Sequence, residues 1–172
     1  MSGLTIGVLV VALVAGFAVL PRFFSHGGSA LDGKDAPDVS FPIVANAPAG
    51  AASMSMSELR GRTVLLDFWA TWCGPCQKEG PIVDRIAHRY GDQGLAVIGV
   101  NTSDEAGNAA PYAKQHHLSY PIAYDAGQRV AAAFGVDGLP TLVIISKTGK
   151  VVAVRTGETS DADLDSLVKR AL

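Results

Sequence analysis

Cys73 and Cys76 are the only cysteines in the chain and lie three positions apart, separated by Gly74 and Pro75. Two thiols at this spacing on a helical turn can close a small disulfide and reopen it, which is electron transfer by thiol–disulfide exchange. Other uses of the pair fit less well. A disulfide-stapled secreted scaffold spreads more cysteines along its sequence. A structural zinc site needs two further ligands, and the histidines stand scattered at 26, 88, 116 and 117. The local setting points the same way. Val64-Leu65-Leu66-Asp67-Phe68 reads as a short strand buried on both faces and running into a tight loop. Gly74 and Pro75 mark the turn, and Pro75 suits a first helical turn, where its missing N–H has no partner to lose. Cys73 then lies at the free N–H groups and positive dipole end of a helix, which favours thiolate over thiol. Cys73 is the expected nucleophile, exposed and attacking a partner's disulfide. Cys76, one turn further in, is expected to resolve the mixed disulfide.

Asp67 interrupts the apolar strand. A carboxylate there is costly unless it has a partner or a task. Burial raises its pKa and suits it to exchange a proton with the Cys76 thiol; the alternative is a carboxylate satisfied by local hydrogen bonds. Trp69 reads as core packing and Trp72 as the rim of the site. His116 and His117 are adjacent on a helix, point to different sides, and so belong to the surface rather than to a metal site.

The elements that must hold these residues follow from the rest of the chain. A length of 172 residues favours one domain with appendages, and a net charge of −2 leaves no basic footprint for nucleic acid. Leu4 to Leu20 is an uncharged run of 17 residues, near the lower limit for spanning a bilayer. Residues 1–24 read as a membrane anchor, with a cleaved signal sequence as the alternative because Gly28-Ser29-Ala30 offers small residues for processing. Arg22 follows the run and no Lys or Arg precedes it, which on charge alone votes for a cytoplasmic domain. Residues 25–35 are polar and glycine-rich, a flexible linker. Val39 to Val44 with Pro42 suggests an edge strand, and Ala45 to Met54 a loop. After Cys76 a helix reaches about Tyr90, with Ile82, Ile86 and Tyr90 as its apolar stripe and Pro81 as a kink. Leu95 to Val100 is a second buried strand, Asn101 to His117 a loop and helix, and Tyr120 to Tyr124 a short strand. Val130 to Phe134 completes a helix. Thr141–Ile145 and Lys150–Val154 form a hairpin, and a last helix starts near Ser160.

The segment Asp67-Phe68-Trp69-Ala70-Thr71-Trp72-Cys73-Gly74-Pro75-Cys76 resembles the thioredoxin active-site segment. From about Ala36, where Ala36-Pro37-Asp38 resembles the opening of such domains, the chain is similar to the membrane-anchored TlpA/ResA-type proteins of bacteria. The resemblance implies an α/β thioredoxin fold over 36–172, a central mixed sheet flanked by helices. It also implies the TlpA/ResA-type insertion between the second buried strand and Tyr124, and an N-terminal transmembrane helix. Pro81 stands at an offset that thioredoxins also fill with proline. Asp67 stands where thioredoxins carry an aspartate, and Glu79 where ResA-like proteins carry a glutamate near the active site; as a plain residue Glu79 reads equally as a solvated helix position. Gly138-Leu139-Pro140-Thr141 resembles the cis-proline loop that faces the cysteines. The resemblance thus assigns Cys73, Cys76, Asp67 and Glu79 to catalysis and Trp72, Gly74 and Pro75 to the active-site loop. It assigns Leu139, Pro140 and Thr141 to substrate binding, with the Leu139 backbone pairing with an extended client.

No metal and no cofactor beyond the Cys73–Cys76 disulfide is expected. The implied activity is reduction of disulfides in extracytoplasmic proteins, apocytochrome c among the candidates, with electrons from a membrane donor protein. The implied location is the cytoplasmic membrane, single-pass, with a periplasmic domain or a cleaved secreted form. A disulfide oxidase or isomerase, and a client-binding module with secondary redox activity, stay open. A peroxiredoxin-type peroxidase needs a lone peroxidatic cysteine, which this pair does not supply.

Overall fold

The computed structural model describes residues 30–172, so the anchor read at 1–24 and the first part of the linker lie outside the described residues. The chain forms β1 (Ser40–Ala45), β2 (Ser53–Ser55), β3 (Thr63–Trp69), α1 (Gly74–Tyr90), β4 (Leu95–Asn101) and α2 (Ala109–Gln115). It continues with β5 (Ile122–Tyr124), α3 (Arg129–Ala133), β6 (Thr141–Ile145), β7 (Val151–Thr156) and α4 (Asp161–Ala171). The strands make one mixed sheet of order β2-β1-β5-β4-β3-β6-β7. β3, β4 and β5 run parallel at its centre, and β6 joins β3 antiparallel.

β3 and β4 are buried at every position, as their near-continuous apolar runs require of central parallel strands. Alternation along β3 splits the core in two. Leu65 and Trp69 join a cluster with Val83, Ile86 and Tyr90 of α1 and Leu164, Leu167 and Val168 of α4. Val64, Leu66 and Phe68 join a cluster on the other face with Phe41, Val130 and Phe134. Phe68 and Phe134 meet with ring centroids 5.9 Å apart. Each fully buried side chain of this kind contributes about 1.5–3 kcal/mol, so the sandwich of helices on a sheet carries the stability. The Arg85–Asp161 and Arg89–Asp165 ion pairs that tie α1 to α4 are exposed and add little. Alternation also places Asp67 on the same face as Leu65 and Trp69, under α1 and its cysteines.

Three expectations need correction. β1 is not an edge strand, because β2, formed across the end of the expected loop, pairs along its outer side. Pro42 is tolerated there because successive N–H groups point to opposite sides. Ile43 donates to Ala52 on the β2 side, so the donor missing at Pro42 falls on the β5 side, where it belongs to no register pair. Residues 31–35 are not linker. They run along β7, whose outer edge needs partners: Gly33 N–H donates to Val151 C=O (2.8 Å), Val151 N–H to Lys34 C=O (2.9 Å), and Asp35 bridges Lys150. The stripe of α1 centres on Val83 and Ile86, with Ile82 only partly buried.

Candidate active site

β3 ends at Trp69 and β6 begins at Thr141, and the register Phe68↔Thr141 puts these two ends side by side. The cysteine loop leaves one, and the Leu139–Pro140 peptide, which is cis, enters the other. The sheet therefore joins segments 64 positions apart in sequence, Cys76 and Pro140, at a single edge. Cys73 and Cys76 are disulfide-bonded with Cα atoms 5.3 Å apart. Cys73 is the N-cap of α1: its Sγ accepts the Cys76 N–H (3.2 Å) and its carbonyl accepts the Gln77 N–H (3.2 Å). The free donors and positive end of the helix thus converge on this sulfur and favour negative charge on it after reduction.

The expectation of an exposed Cys73 does not hold in the disulfide form, where the residue is 4% exposed. It packs in the cluster that contains Trp69, Ala70 and Cys76, with Leu139 against it. Trp72 takes the solvent position instead, 65% exposed, while Gly74 and Pro75 are exposed at the turn.

The Pro140 loop is braced from behind. Pro140 C=O accepts from Gly157 N–H (2.9 Å). Thr141, read as substrate-binding, is buried, and its Oγ1 lies 2.9 Å from Gly138 C=O and 3.1 Å from Thr156 Oγ1. Its hydroxyl is committed to the loop, so Thr141 shapes the edge without facing a partner. Leu139 is half-buried, and its main-chain N–H and C=O make no hydrogen bond among the described residues, which leaves them available to an added strand.

Both acids are buried, which removes the solvated reading of Glu79. Asp67 pairs in register with Gly99 of β4 and Leu142 of β6, and Tyr120 donates its hydroxyl to Asp67 Oδ2 (3.0 Å). Burial, reinforced by the charge of Glu79 and opposed by the Tyr120 hydrogen bond, pushes the Asp67 carboxyl up to about 7. Glu79 is 1% exposed; its Oε1 accepts from Thr159 N–H (2.8 Å), and Oε2 has no partner among the described residues. Burial pushes Glu79 to about 7 as well, against the hydrogen bonding from Thr159. Asp67 and Cys76 line one narrow cleft with Tyr112, Tyr120 and Pro81, with space for about one water molecule. His116 stacks on Tyr112 (4.0 Å) at this cleft, and Tyr112 leans on Trp69 (5.0 Å). Among the described residues no His/Cys/Asp/Glu group could hold a metal ion.

Asp104, which nothing in the motif singles out, holds the approach to Cys73. It accepts from Thr71 N–H (2.7 Å), Thr71 Oγ1 (3.1 Å), Asn101 Nδ2 (2.9 Å), Glu105 N–H (2.9 Å) and Asn108 Nδ2 (3.1 Å). Trp72 Nε1 donates to the neighbouring Ser103 C=O (2.8 Å). Partial burial works against the Asp104 charge, but these donors outweigh it and hold the carboxyl at about 2. The signal in sequence was the polar run Asn101-Thr102-Ser103-Asp104 at the carboxyl end of a parallel strand, where sites gather in open α/β sheets. Asp104→Ala is expected to cost about 1–3 kcal/mol above pH 4 and to slow exchange by roughly tenfold by freeing Thr71 and Trp72. Thermal unfolding and turnover, measured side by side, check this; Asp104→Asn, which keeps one acceptor, should recover part of both.

Comparison with known proteins agrees with this fold. The redoxin family matches residues 31–169. Thiol-disulfide oxidoreductase ResA of Bacillus thuringiensis is 30% identical over 162 residues, spanning 94% of this chain and 91% of its own length. ResA of Bacillus subtilis is 30% identical over 167 residues, spanning 95% and 90%. A crystal structure described as the thiol:disulfide interchange protein DsbE of Chlorobium tepidum superposes with a TM-score of 0.74 at 29% identity, over 81% of this chain and 96% of that one. The chain belongs to the redoxin family and is a ResA-like thiol-disulfide oxidoreductase of thioredoxin-like fold, its Cys73–Cys76 pair set at the start of α1.

Proposed function

We propose that the protein works as a reductase of disulfides in extracytoplasmic proteins, held at the cytoplasmic membrane by the apolar run of residues 4–20. Apocytochrome c is the client class, and a membrane protein supplies the electrons. The observation that carries the reducing direction is the buried Asp67 carboxyl, which lines one cleft with Cys76. A strongly oxidising dithiol is one whose reduced form is stabilised as thiolate. Asp67 acts against a thiolate at Cys76, since any charge it carries repels that thiolate, and the charge of Glu79 reinforces its proton affinity. Asp67 also supplies what a reductase needs in its second step.

The Cys73 thiolate attacks one sulfur of the client disulfide; a mixed disulfide forms and the other client sulfur leaves as thiolate. Asp67, with an affinity for protons near neutrality, takes the proton of Cys76. The Cys76 thiolate attacks Cys73 Sγ, the Cys73–Cys76 disulfide closes, and the second client thiolate leaves. Two electrons have passed to the client, and an external dithiol must return them.

Reduced full-length protein in detergent, mixed with a disulfide-bonded apocytochrome c, is expected to yield free client thiols in proportion to Cys73–Cys76 disulfide formed. A membrane-impermeant thiol reagent added to intact cells should label the reduced cysteines. Oxidation of a reduced client by the Cys73–Cys76 disulfide, or labelling only after cell lysis, would contradict the proposal.

A further inference from the structure

We infer that Tyr120 is a positioning residue for the exchange reaction: through its hydroxyl it orients the Asp67 carboxyl and tunes its readiness to take the Cys76 proton. This rests on the proton-acceptor role proposed for Asp67. The geometry is built around the contact. Gly99 is the register partner of Asp67 on β4, and a Cβ there would come within 2.8 Å of both Tyr120 Cε2 and Ile122 Cδ1 and within 3.0 Å of Trp69 Nε1. The bare backbone of Gly99 thus makes the slot in which the Tyr120 ring lies and reaches across to Asp67 Oδ2.

The main chain of Tyr120 is clamped as well. Asn46 Nδ2 donates to the carbonyls of Leu118 (2.6 Å) and Tyr120 (3.0 Å), and Ser119 N–H donates to Asp84 Oδ1 (2.7 Å). Tyr120 is 3% exposed, and burial together with the Asp67 charge raises its phenol well above 10, so it keeps its proton and donates a hydrogen bond to the Asp67 carboxylate. A donor to a carboxylate stabilises the charged form and lowers its proton affinity. Burial and Glu79 push Asp67 up; Tyr120 pulls it back toward neutrality, where an acceptor can both take and release a proton. The groups that face this pair are Cys76, Glu79 and Asp84 from α1, Tyr112 from α2 and His116 just after it, with none from β4 or β6 beside it.

The test compares wild type, Tyr120→Phe, Asp67→Asn and the double variant as reduced full-length proteins. NMR titration of the side-chain carboxyl carbons reads Asp67 directly, and single-turnover reduction of insulin across pH reads the reaction. Tyr120→Phe should move the Asp67 midpoint up by about one pH unit and carry the rate profile with it. In the Asp67→Asn background the same change should do nothing further to the profile. Asn46→Ala, which loosens the clamp and leaves the hydroxyl, should move the midpoint the same way by less, and serves if the phenylalanine variant fails to fold. An Asp67 midpoint unchanged in the variants, or equal effects of Tyr120→Phe with and without Asp67, overturns the inference. If Asp67→Asn alone leaves the rate profile untouched, the proton-acceptor role fails instead, and the NMR midpoint still reports on Tyr120.

Discussion

Cys73→Ser abolishes exchange, lowering insulin reduction by roughly a thousandfold or more, whereas Cys76→Ser preserves the first attack and halts the second. The difference follows from where the helix donors point. Cys73 Sγ receives the Cys76 N–H and the positive end of α1, so it is the sulfur on which charge is stabilised. A serine hydroxyl offers no comparable nucleophile at neutral pH. With Cys73 intact and Cys76 gone, the mixed disulfide has no resolving thiol, and client proteins should accumulate as adducts that dissolve on adding reductant. Non-reducing gels of cells expressing each variant check this. Adducts through Cys76 in the Cys73→Ser protein, at a level matching the converse, would reverse the roles.

Asp67→Asn is expected to stabilise the protein by about 2–4 kcal/mol at pH 8 and by little at pH 4. The Asp67 carboxyl is raised from 3.8 to about 7, so the folded state binds its proton more tightly than the unfolded chain does. Between those two pH values the folded form carries the extra proton, and stability falls as pH rises. About three pH units at about 1.4 kcal/mol each give the upper figure, and the cost of burying an amide lowers it. Glu79, also raised to about 7, titrates with Asp67 as a pair and adds in the same direction. Asp104 has the opposite sign: its contribution is full above about pH 4 and fades as pH drops toward 2. Stability should therefore peak on the acid side of neutrality. The same Asp67→Asn change should slow resolution by about tenfold or more near pH 7, stability gained where function is lost. Denaturant unfolding at the two pH values decides the matter; equal midpoint shifts at both would place Asp67 outside the titrating core.

The central architecture was legible because it is written in local patterns. Val64–Phe68 and Leu95–Val100 are apolar runs too short for helices, and Gly74-Pro75 punctuates the turn before α1. Ser160 with Asp161 and Asp163 announced the start of α4, where Ser160 Oγ does accept the Asp163 N–H. What escaped was set by tertiary partners. Ser53-Met54-Ser55 has no strand signal of its own and is extended because β1 offers an edge. Residues 31–35 look like linker and are ordered by the open side of β7. Within the site, the cysteines and the Leu139–Pro140 loop stood out by motif, and a lone carboxylate in an apolar strand pointed to the burial and raised pKa of Asp67, but the state of Glu79 was hidden. Glu79 looked like any polar helix residue, and only the fold shows it turned inward to Thr159. Tyr120, Asp104 and Gly99 carry no motif, because their contribution is a contact across the sheet and not a spacing along the chain.

The reduction potential of the Cys73–Cys76 couple, measured by equilibration of the full-length protein in glutathione and dithiothreitol buffers, tests the reducing role most directly. A value near the roughly −270 mV of thioredoxin is the expected result. A value near the roughly −120 mV of DsbA would mean that thiolate stabilisation at Cys73 outweighs the buried carboxyl beside Cys76, and that electrons flow from clients into this protein.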